Sequence, residues 1–184
     1  MNVISWLKTL SYGVVMAAFL GASAANAEEG AKEGSEGGNG GTFGLAFTIG
    51  EGVYFLDGDA YRGPVSLELV PSFGWTWFKF DLGLSTTLES VEMAGTNIGH
   101  WNFTFRPGAR LTPPIIPLYL RFAIPLQFQS DDFDTGMLFG VGVDIPLFGV
   151  LGLVLEVDTA VTKNLEWGGR GVPLEFRAGV SFAF

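Results

Sequence analysis

The sequence contains no cysteine and only one histidine among its 184 residues. It therefore forms no disulfide, supplies no thiolate to a metal ion and has no cysteine nucleophile. Charged residues make up 16 % of the chain, against roughly 25 % in soluble domains. The net charge is −9, which gives the chain no electrostatic reason to bind nucleic acid. These scarcities exclude a disulfide framework and argue against a nucleic-acid partner.

The first 27 residues have the three parts of a secretory signal peptide. Lys8 is the only charged residue before Glu28, an apolar stretch runs from Val14 to Leu20, and small residues end at Ala27. The apolar stretch is too short to anchor the chain in a bilayer. Small residues in an A-x-A pattern mark a cleavage site. We predict that residues 1–27 are removed during export, by cleavage after Ala27.

Residues 28–41, EEGAKEGSEGGNGG, contain no apolar side chain larger than alanine. A segment of this composition has nothing to bury in a core. We therefore predict a flexible Gly/Glu-rich leader at 28–41, followed by one folded domain at 42–184.

From Thr42 onward, bulky apolar residues occupy every second position in eight segments, and the positions between hold Gly, Ser, Thr and a few charges. A period of two residues indicates β-strands. The predicted strands are Thr42–Gly50, Pro64–Trp75, Phe78–Leu88, Trp101–Leu111, Leu118–Gln129, Met137–Ile145, Leu153–Thr162 and Leu174–Phe184.

These segments exceed the roughly 5–6 residues of an ordinary strand and suit the roughly 9–11 residues that a tilted strand needs to cross a membrane. The connections alternate between short and long. The short ones are Thr76-Trp77, Thr112–Pro117 and Pro146–Gly152, and the longer ones are Glu51–Gly63, Glu89–His100, Ser130–Gly136 and Lys163–Val172. Such alternation is typical of outer-membrane barrels. We predict an all-β fold: an eight-stranded antiparallel up-and-down transmembrane β-barrel with short periplasmic turns and longer extracellular loops.

Three alternatives compete with this interpretation. A membrane helix at Met137–Val157 would contain Asp144 and Pro146, and its uninterrupted apolar run is too short to span a bilayer. A soluble barrel of the lipocalin type would place its polar face in water, where Lys and Glu are common. Here that face is rich in glycine instead, which suits a narrow interior. A two-sheet sandwich would have shorter strands.

The charged residues on the small-residue faces are predicted to point into the barrel. Because an unpaired buried charge is very costly, they should form ion pairs. If the chain reverses at the midpoint of each connection, the register of adjacent strands follows. This register places Arg121 opposite Asp144, Asp81 opposite Arg110, and Arg177 opposite Glu156 or Asp158. The network is interpreted as a structural plug, with a proton or ion path as the alternative. The predicted members are Glu68, Lys79, Asp81, Arg106, Arg110, Arg121, Asp144, Glu156, Asp158, Glu175 and Arg177.

Aromatic residues are expected at the two membrane interfaces. Trp75, Trp77 and Tyr119 lie near the short turns, and Trp101 and Trp167 lie near the longer loops. Their positions predict two aromatic girdles.

The chain ends in EFRAGVSFAF, Glu175 to Phe184, with the alternation intact to the last residue. With the repeated alternation and the loop asymmetry, this ending resembles the small eight-stranded outer-membrane barrels of the OmpA/OmpX-like superfamily over Thr42–Phe184. The resemblance implies location in the outer membrane of a Gram-negative bacterium, with lipid and lipopolysaccharide as partners. It also implies that the barrel-assembly machinery recognises the alternating terminal residues Phe176, Val180, Phe182 and Phe184. The last strand should close the barrel against Thr42–Gly50.

Two function classes remain open: a structural or surface-interaction protein, and a small-solute channel or transporter of apolar molecules. Lipid A deacylases of this architecture use His and Ser two residues apart, whereas His100-Trp101-Asn102 has Asn at the nucleophile position. We therefore expect no enzymatic activity. We also expect that the protein has no cofactor and is a monomer. Ser130–Asp134 has three carboxylates but lacks the spacing of a calcium loop, so a solvated loop is expected.

Overall fold

The computed structural model describes residues 42–56, 58–75, 77–93, 96–99, 103–113, 118–128, 133–162 and 172–184. The predicted signal peptide and leader lie outside these residues, as do His100, Trp101, Trp167 and the stretch from Ser130 to Asp132.

Within the described ranges the chain forms eleven β-strands. Their bounds are β1 Thr42–Leu56, β2 Asp59–Trp75, β3 Phe78–Thr87, β4 Ser90–Met93, β5 Thr96–Gly99, β6 Phe103–Leu111, β7 Leu118–Ala123, β8 Leu126–Phe128, β9 Phe133–Phe148, β10 Leu151–Thr162 and β11 Val172–Ala183.

The strands form a closed antiparallel ring. Its order is β1, β2, β3, β6, β7 with β8, β9, β10 and β11, and β11 pairs with β1. We call each full-length segment of the wall a stave. The ring has eight staves because β7 and β8 are two parts of one predicted segment, separated at Ile124-Pro125. Proline cannot donate a main-chain hydrogen bond to a neighbouring strand, which explains the interruption. The predicted barrel with eight segments is confirmed.

The last strand closes the ring as predicted. Cα partners run from Gly44 and Ala183 at one end of the β1–β11 pair to Phe55 and Val172 at the other. Beyond this ladder, Phe184 donates from its N–H to the Phe43 carbonyl at 2.8 Å and accepts from the Phe43 N–H at 3.2 Å. Closure leaves every strand of the ring with two neighbours, so no open sheet edge runs along the barrel wall.

Several predicted loops contain strand, among them Ser130–Gly136, whose residues 133–136 belong to β9. Most of Glu51–Gly63 belongs to the long β1–β2 hairpin, whose ladder is irregular between Glu51 and Val53. This β-bulge changes which residues share a face, so the alternation cannot be followed through it from the sequence. The predicted loop Glu89–His100 contains a separate two-stranded hairpin of β4 and β5. We call the end of the barrel that carries these hairpins the loop end, and the opposite end the turn end.

The two faces of the wall differ in polarity. Large apolar side chains such as Phe47, Leu84 and Val141 are exposed on the outside. Most buried side chains are polar, including Thr48, Glu68 and Arg121. A soluble barrel has the opposite arrangement, with its apolar face inward, so that alternative is wrong. The glycine-rich inner face of the sequence corresponds to the barrel interior.

The helix alternative at Met137–Val157 is also wrong, because this stretch forms the antiparallel pair β9–β10. Its turn contains Gly149, with a φ of 57°. In the part of the chain that the structure describes, no helix has the length and apolarity to span a membrane.

Candidate functional site

A network of ion pairs crosses the barrel interior. Nine charged side chains from six strands take part, and the contacts join staves on opposite sides of the ring. The members are Glu68, Asp81, Arg106, Arg110, Arg121, Glu156, Asp158, Glu175 and Arg177. We call this set the charged layer.

Arg121 lies at the centre of the charged layer and is 1 % exposed. Its Nη2 is 2.7 Å from Glu68 Oε1, and its Nη1 is 3.1 Å from Glu68 Oε2. Nη1 is also 3.0 Å from Glu156 Oε1, and Nε is 3.6 Å from Asp81 Oδ2. One guanidinium therefore joins carboxylates from β2, β3 and β10, which suits the planar fork of donors that arginine presents.

Arg177 holds a second group of carboxylates. Asp158 and Glu175 are Cα partners on β10 and β11, so their like charges face each other inside the barrel. Arg177 offsets that repulsion, with Nε 3.0 Å from Asp158 and Nη2 2.7 Å from Glu175. Its Nη1 is 3.1 Å from Glu68, which is also bound by Arg121. Glu68 thus links the two arginine-centred groups.

Uncharged donors complete the layer. The Tyr119 hydroxyl donates to Glu156 at 2.5 Å, and the Ser66 hydroxyl donates to Glu175. The Arg110 guanidinium lies 4.4 Å from the Tyr119 ring centroid, a cation–π distance. Sequence reasoning did not select these two hydroxyls. The prediction that Tyr119 belongs to the aromatic girdle is wrong, because Tyr119 lies between the outward residues Leu118 and Leu120 and is 1 % exposed.

Two of the predicted pairings occur in the structure. Arg110 Nη2 is 3.1 Å from Asp81 Oδ2, although these residues are two positions out of direct register. Arg177 is the Cα partner of Glu156 and forms one of its ion pairs with Asp158.

The predicted pairing of Arg121 with Asp144 is wrong. Gly140 is the Cα partner of Arg121, and the exposed Asp144 accepts a 2.6 Å hydrogen bond from Ser181 near the turn end. Loop midpoints misplaced the β7–β9 register by four residues. Lys79 faces Arg110 across β3 and β6 and makes no ion pair within the described residues.

Glycines make room for the charged layer. A Cβ at Gly83 would lie 2.5 Å from Glu68 Oε1 and 2.7 Å from Arg121 Nη2. A Cβ at Gly140 would lie 3.3 Å from Glu156 and 3.4 Å from Arg121 Cβ. Two glycines on different staves thus provide the space in which the central guanidinium and its carboxylates meet. The predicted reason for glycine in these strands, a narrow interior, is confirmed at both positions.

An apolar layer lies on the turn-end side of Glu68, Arg121 and Glu156. Ala46, Val70, Tyr119 and Val154 form one buried cluster, each between 1 % and 4 % exposed. They come from β1, β2, β7 and β10, so their contacts cross the interior. Each lies two residues closer to the turn end than a buried polar residue of the same stave. Those polar residues are Thr48, Glu68, Arg121 and Glu156.

The four predicted assembly residues lie on β11 and just beyond it. Phe184 is 67 % exposed at the turn end, and its ring centroid is 6.0 Å from that of Phe43. Phe176, Val180 and Phe182 are the Cα partners of Glu51, Phe47 and Leu45 in the closing ladder. Trp75 and Trp77 are 50 % and 61 % exposed at the same end, where the girdle was predicted.

A smaller ion-pair cluster lies at the loop end. Arg62 of β2 contacts Glu51 of β1, and its Nη2 is 2.5 Å from Glu89, just after β3. Glu89 also accepts a 3.1 Å hydrogen bond from the Val65 N–H. The hydrogen bond from Arg62, followed by that from Val65, lowers the pKa of Glu89 below its ordinary value. Hydrogen bonds to Glu51 and Glu89 raise the pKa of Arg62. The cluster therefore ties three neighbouring staves together.

The donor set of the interior suits ion pairing better than metal binding. Each carboxylate of the charged layer contacts at least one arginine. In the described ranges, no group of three or more His, Cys, Asp or Glu side chains is arranged to hold a metal ion.

Two solved structures are similar to this barrel. One is Neisserial surface protein A, with a TM-score of 0.54 and 15 % identity, over 79 % of this chain and 99 % of that chain. The other is Ail, the attachment invasion locus protein of Yersinia pestis, in complex with the heparin analogue sucrose octasulfate. It has a TM-score of 0.54 and 10 % identity, over 78 % of this chain and 99 % of that chain. At these identities the similarity shows the fold: a small, eight-stranded, up-and-down transmembrane β-barrel. No protein-family model and no curated protein sequence matches the chain.

Proposed function

We propose that this chain is an outer-membrane protein of a Gram-negative bacterium that acts as a structural and surface-interaction barrel. The charged layer is the observation that carries the proposal. Its ion pairs join opposite walls, as between Arg121 of β7 and Glu68 of β2 at 2.7 Å. Together with the apolar layer, these contacts fill an interior that an eight-stranded barrel makes only wide enough for its own side chains.

The outer surface supports a membrane location. Apolar side chains such as Phe43, Phe122 and Val141 are exposed around the wall. In water such a continuous surface would be unfavourable, whereas hydrocarbon accepts it without cost. The Arg62 cluster lies at the loop end of this surface, and exposed tryptophans lie at the turn end. We place the turn end in the periplasm and the loop end outside the cell, in contact with lipopolysaccharide.

The β1–β2 and β4–β5 hairpins at the loop end are the parts proposed to meet lipopolysaccharide or other surfaces. The names of the two similar barrels, a surface protein and an attachment invasion locus protein, agree with this role. In the proposal the protein is a monomer without enzymatic activity, and the barrel-assembly machinery inserts it through its terminal residues Phe176, Val180, Phe182 and Phe184.

Single-channel recording in planar bilayers tests the proposal against a small-solute channel. We expect no steady conductance from the intact barrel. A matched pair of variants strengthens the test: Arg121→Ala removes the centre of the charged layer, and Arg62→Ala removes an arginine from the outer cluster. Only Arg121→Ala should produce open events. Steady conductance from the unaltered protein would overturn the closed-barrel proposal and favour the channel.

A further inference from the structure

The turn between β9 and β10 is built without a polar side chain. From Ile145 to Leu153 the chain reads IPLFGVLGL, with no charge, hydroxyl or amide group in a side chain. Leu147, Phe148 and Val150 are 47 %, 73 % and 50 % exposed. We call these three side chains the apolar turn. Chain reversals that face water usually consist of Gly, Pro, Asn, Asp and Ser, so this composition requires an explanation.

The main chain of the turn is bonded to the barrel itself. Gly149 adopts a φ of 57°, which allows a tight reversal, and Phe148 and Leu151 are Cα partners across it. The Val150 carbonyl accepts a 2.8 Å hydrogen bond from the Ala183 N–H of the neighbouring stave. Main-chain groups that are bonded within the protein can leave water at lower cost than free ones. This pairing therefore lowers the cost of placing the turn outside water.

The apolar turn lies beside the seam where the ring closes. Leu151 has Phe148 as its Cα partner on β9 and Phe182 as its Cα partner on β11. Just beyond β11, Phe184 is 67 % exposed, and its ring centroid is 6.0 Å from that of Phe43. The exposed apolar surface thus continues from the turn across β11 to β1, where it joins the outer wall. The turn extends the surface that faces lipid.

Asp144, which is near the turn in sequence, faces the interior. It accepts a hydrogen bond from Ser181, and a Cβ at Gly152 would lie 2.8 Å from its Oδ1. A Cβ at Gly142, on the same face of β9, would lie 2.4 Å from the buried Tyr119 ring. The carboxylate therefore lies in the mouth of the barrel and does not hold the outer rim in water.

The loop end differs, because charged side chains are exposed there. Asp59 and Glu92 are exposed, and the Arg62 side chain is 50 % exposed between Glu51 and Glu89. Charged groups are costly to move into hydrocarbon, whereas leucine, phenylalanine and valine side chains lower their free energy by leaving water. The two ends thus favour different surroundings: water at the loop end and lipid at the apolar turn.

From these observations we infer that the apolar turn is inserted in the membrane instead of protruding into water. Leu147, Phe148 and Val150 lie at the boundary between the lipid headgroups and the acyl chains. Lipid is the occupant that fits this surface, because the surface is continuous with the lipid-facing wall and offers no charge for a protein partner to pair with. The name of the leaflet rests on the proposed orientation: with the turn end in the periplasm, it is the inner leaflet of the outer membrane.

Site-directed spin labelling tests this placement, because the chain has no cysteine and each introduced thiol is unique. Phe148→Cys labels the turn, Val141→Cys labels the lipid-facing wall and Asp59→Cys labels the loop end. The full-length chain carries a nitroxide on one of these thiols in vesicles of phosphatidylcholine and phosphatidylglycerol. Collisions of the nitroxide are measured with oxygen, which concentrates in hydrocarbon, and with a water-soluble nickel complex present on both sides of the vesicle membrane.

We expect the ratio of oxygen collisions to nickel collisions at Phe148→Cys to be several-fold higher than at Asp59→Cys and closer to the ratio at Val141→Cys. Adding Leu147→Ser and Val150→Ser removes the apolar side chains that hold the turn in lipid, so the ratio at Phe148→Cys should fall to that of Asp59→Cys. The same two substitutions should leave the ratio at Val141→Cys unchanged. Val150→Cys, with Leu147→Ser as its comparison, replaces Phe148→Cys if the latter fails to show the mobility shift of a folded barrel on unheated gels.

Three results would overturn the inference. A ratio at Phe148→Cys equal to that at Asp59→Cys, with the other turn residues unaltered, would place the turn in water. Few collisions with either probe would mean that protein covers the turn, and dipolar broadening between nitroxides would identify that protein as a second copy of the chain. An unchanged ratio after both serine substitutions would show that the apolar side chains do not hold the turn in lipid.

The test is independent of the conductance recordings. A closed barrel with its turn in water would contradict this inference alone. An open channel with its turn in lipid would contradict the proposed function alone.

Discussion

Arg121 and Glu68 form a paired contact across the barrel interior, with Nη2–Oε1 at 2.7 Å and Nη1–Oε2 at 3.1 Å. They belong to β7 and β2, which are not neighbours in the ring. Hydrogen bonds along the wall hold each strand to the next, whereas this contact holds one side of the barrel to the other. Its geometry is the bidentate one in which arginine binds a carboxylate most strongly.

Removing one partner of this contact should destabilise the barrel strongly. Arg121→Met leaves Glu68 and Glu156 without their shared cation, and breaking a buried pair typically costs about 3–5 kcal/mol. Arg62→Met is the matched control, because exposed ion pairs contribute about 0–1 kcal/mol. Urea unfolding in lipid vesicles, followed by tryptophan fluorescence, gives both free energies of unfolding. If both variants lost the same free energy of unfolding, the Arg121–Glu68 contact would stabilise the barrel no more than the exposed Arg62 pairs do.

Filling the space beside Arg121 should also be unfavourable. Gly83→Val places a branched side chain where even a Cβ would lie 2.5 Å from Glu68 Oε1. Overpacking of this kind costs about 1–3 kcal/mol. Thr86→Val, on the same strand but away from the charged layer, is the control and should change the free energy of unfolding little. The prediction fails if Gly83→Val is as stable as the unaltered protein.

The Arg62–Glu89 pair should make stability depend on pH in the acid range. Since Arg62 lowers the pKa of Glu89 in the folded barrel, the stabilisation is present above the unfolded pKa of about 4.3 and is lost as pH falls through the folded pKa. Glu89→Gln should therefore cost about 0.2–1 kcal/mol at neutral pH and progressively less below about pH 4.

A double-mutant comparison isolates this effect. In an Arg62→Gln background, Glu89 has lost its cation and keeps the hydrogen bond from the Val65 N–H, so adding Glu89→Gln should produce a smaller pH-dependent difference. Free energies of unfolding at neutral and acid pH provide the measurement. A difference that persists unchanged in the Arg62→Gln background would mean that Glu89 acts through another group.

The last residue should matter more for assembly than an apolar residue within the same strand. Deleting Phe184 removes its two main-chain hydrogen bonds to Phe43 and the terminal ring, whereas Phe176→Ala removes only a side chain from the closing ladder. We expect the deletion to lower the folded outer-membrane yield more than Phe176→Ala. The yield is measured as heat-modifiable protein in membrane fractions. Similar yields, at matched stability of the refolded proteins, would count against a terminal recognition signal.

The sequence alone was sufficient for the number of staves, the antiparallel order and the polarity of the two faces. Alternation with a period of two is a local property, and it places Phe47 outside and Thr48 inside whatever their neighbours are. The alternation also contained the answer for Tyr119, which lies between two outward leucines. The general preference of aromatic residues for membrane interfaces therefore does not hold at Tyr119.

The tertiary structure decided which charges meet. Pairing Arg121 with Asp144 assumed that partners lie on adjacent strands and that loop midpoints set the register, whereas closure of the ring places Glu68 of a distant stave 2.7 Å from Arg121. The β1–β2 hairpin likewise continues past a bulge that interrupts the alternation near Glu51, so the alternation did not predict its length. Side-chain direction is determined residue by residue along a strand. Register and contacts across the interior depend on how all eight staves close together, so only the complete barrel determines them.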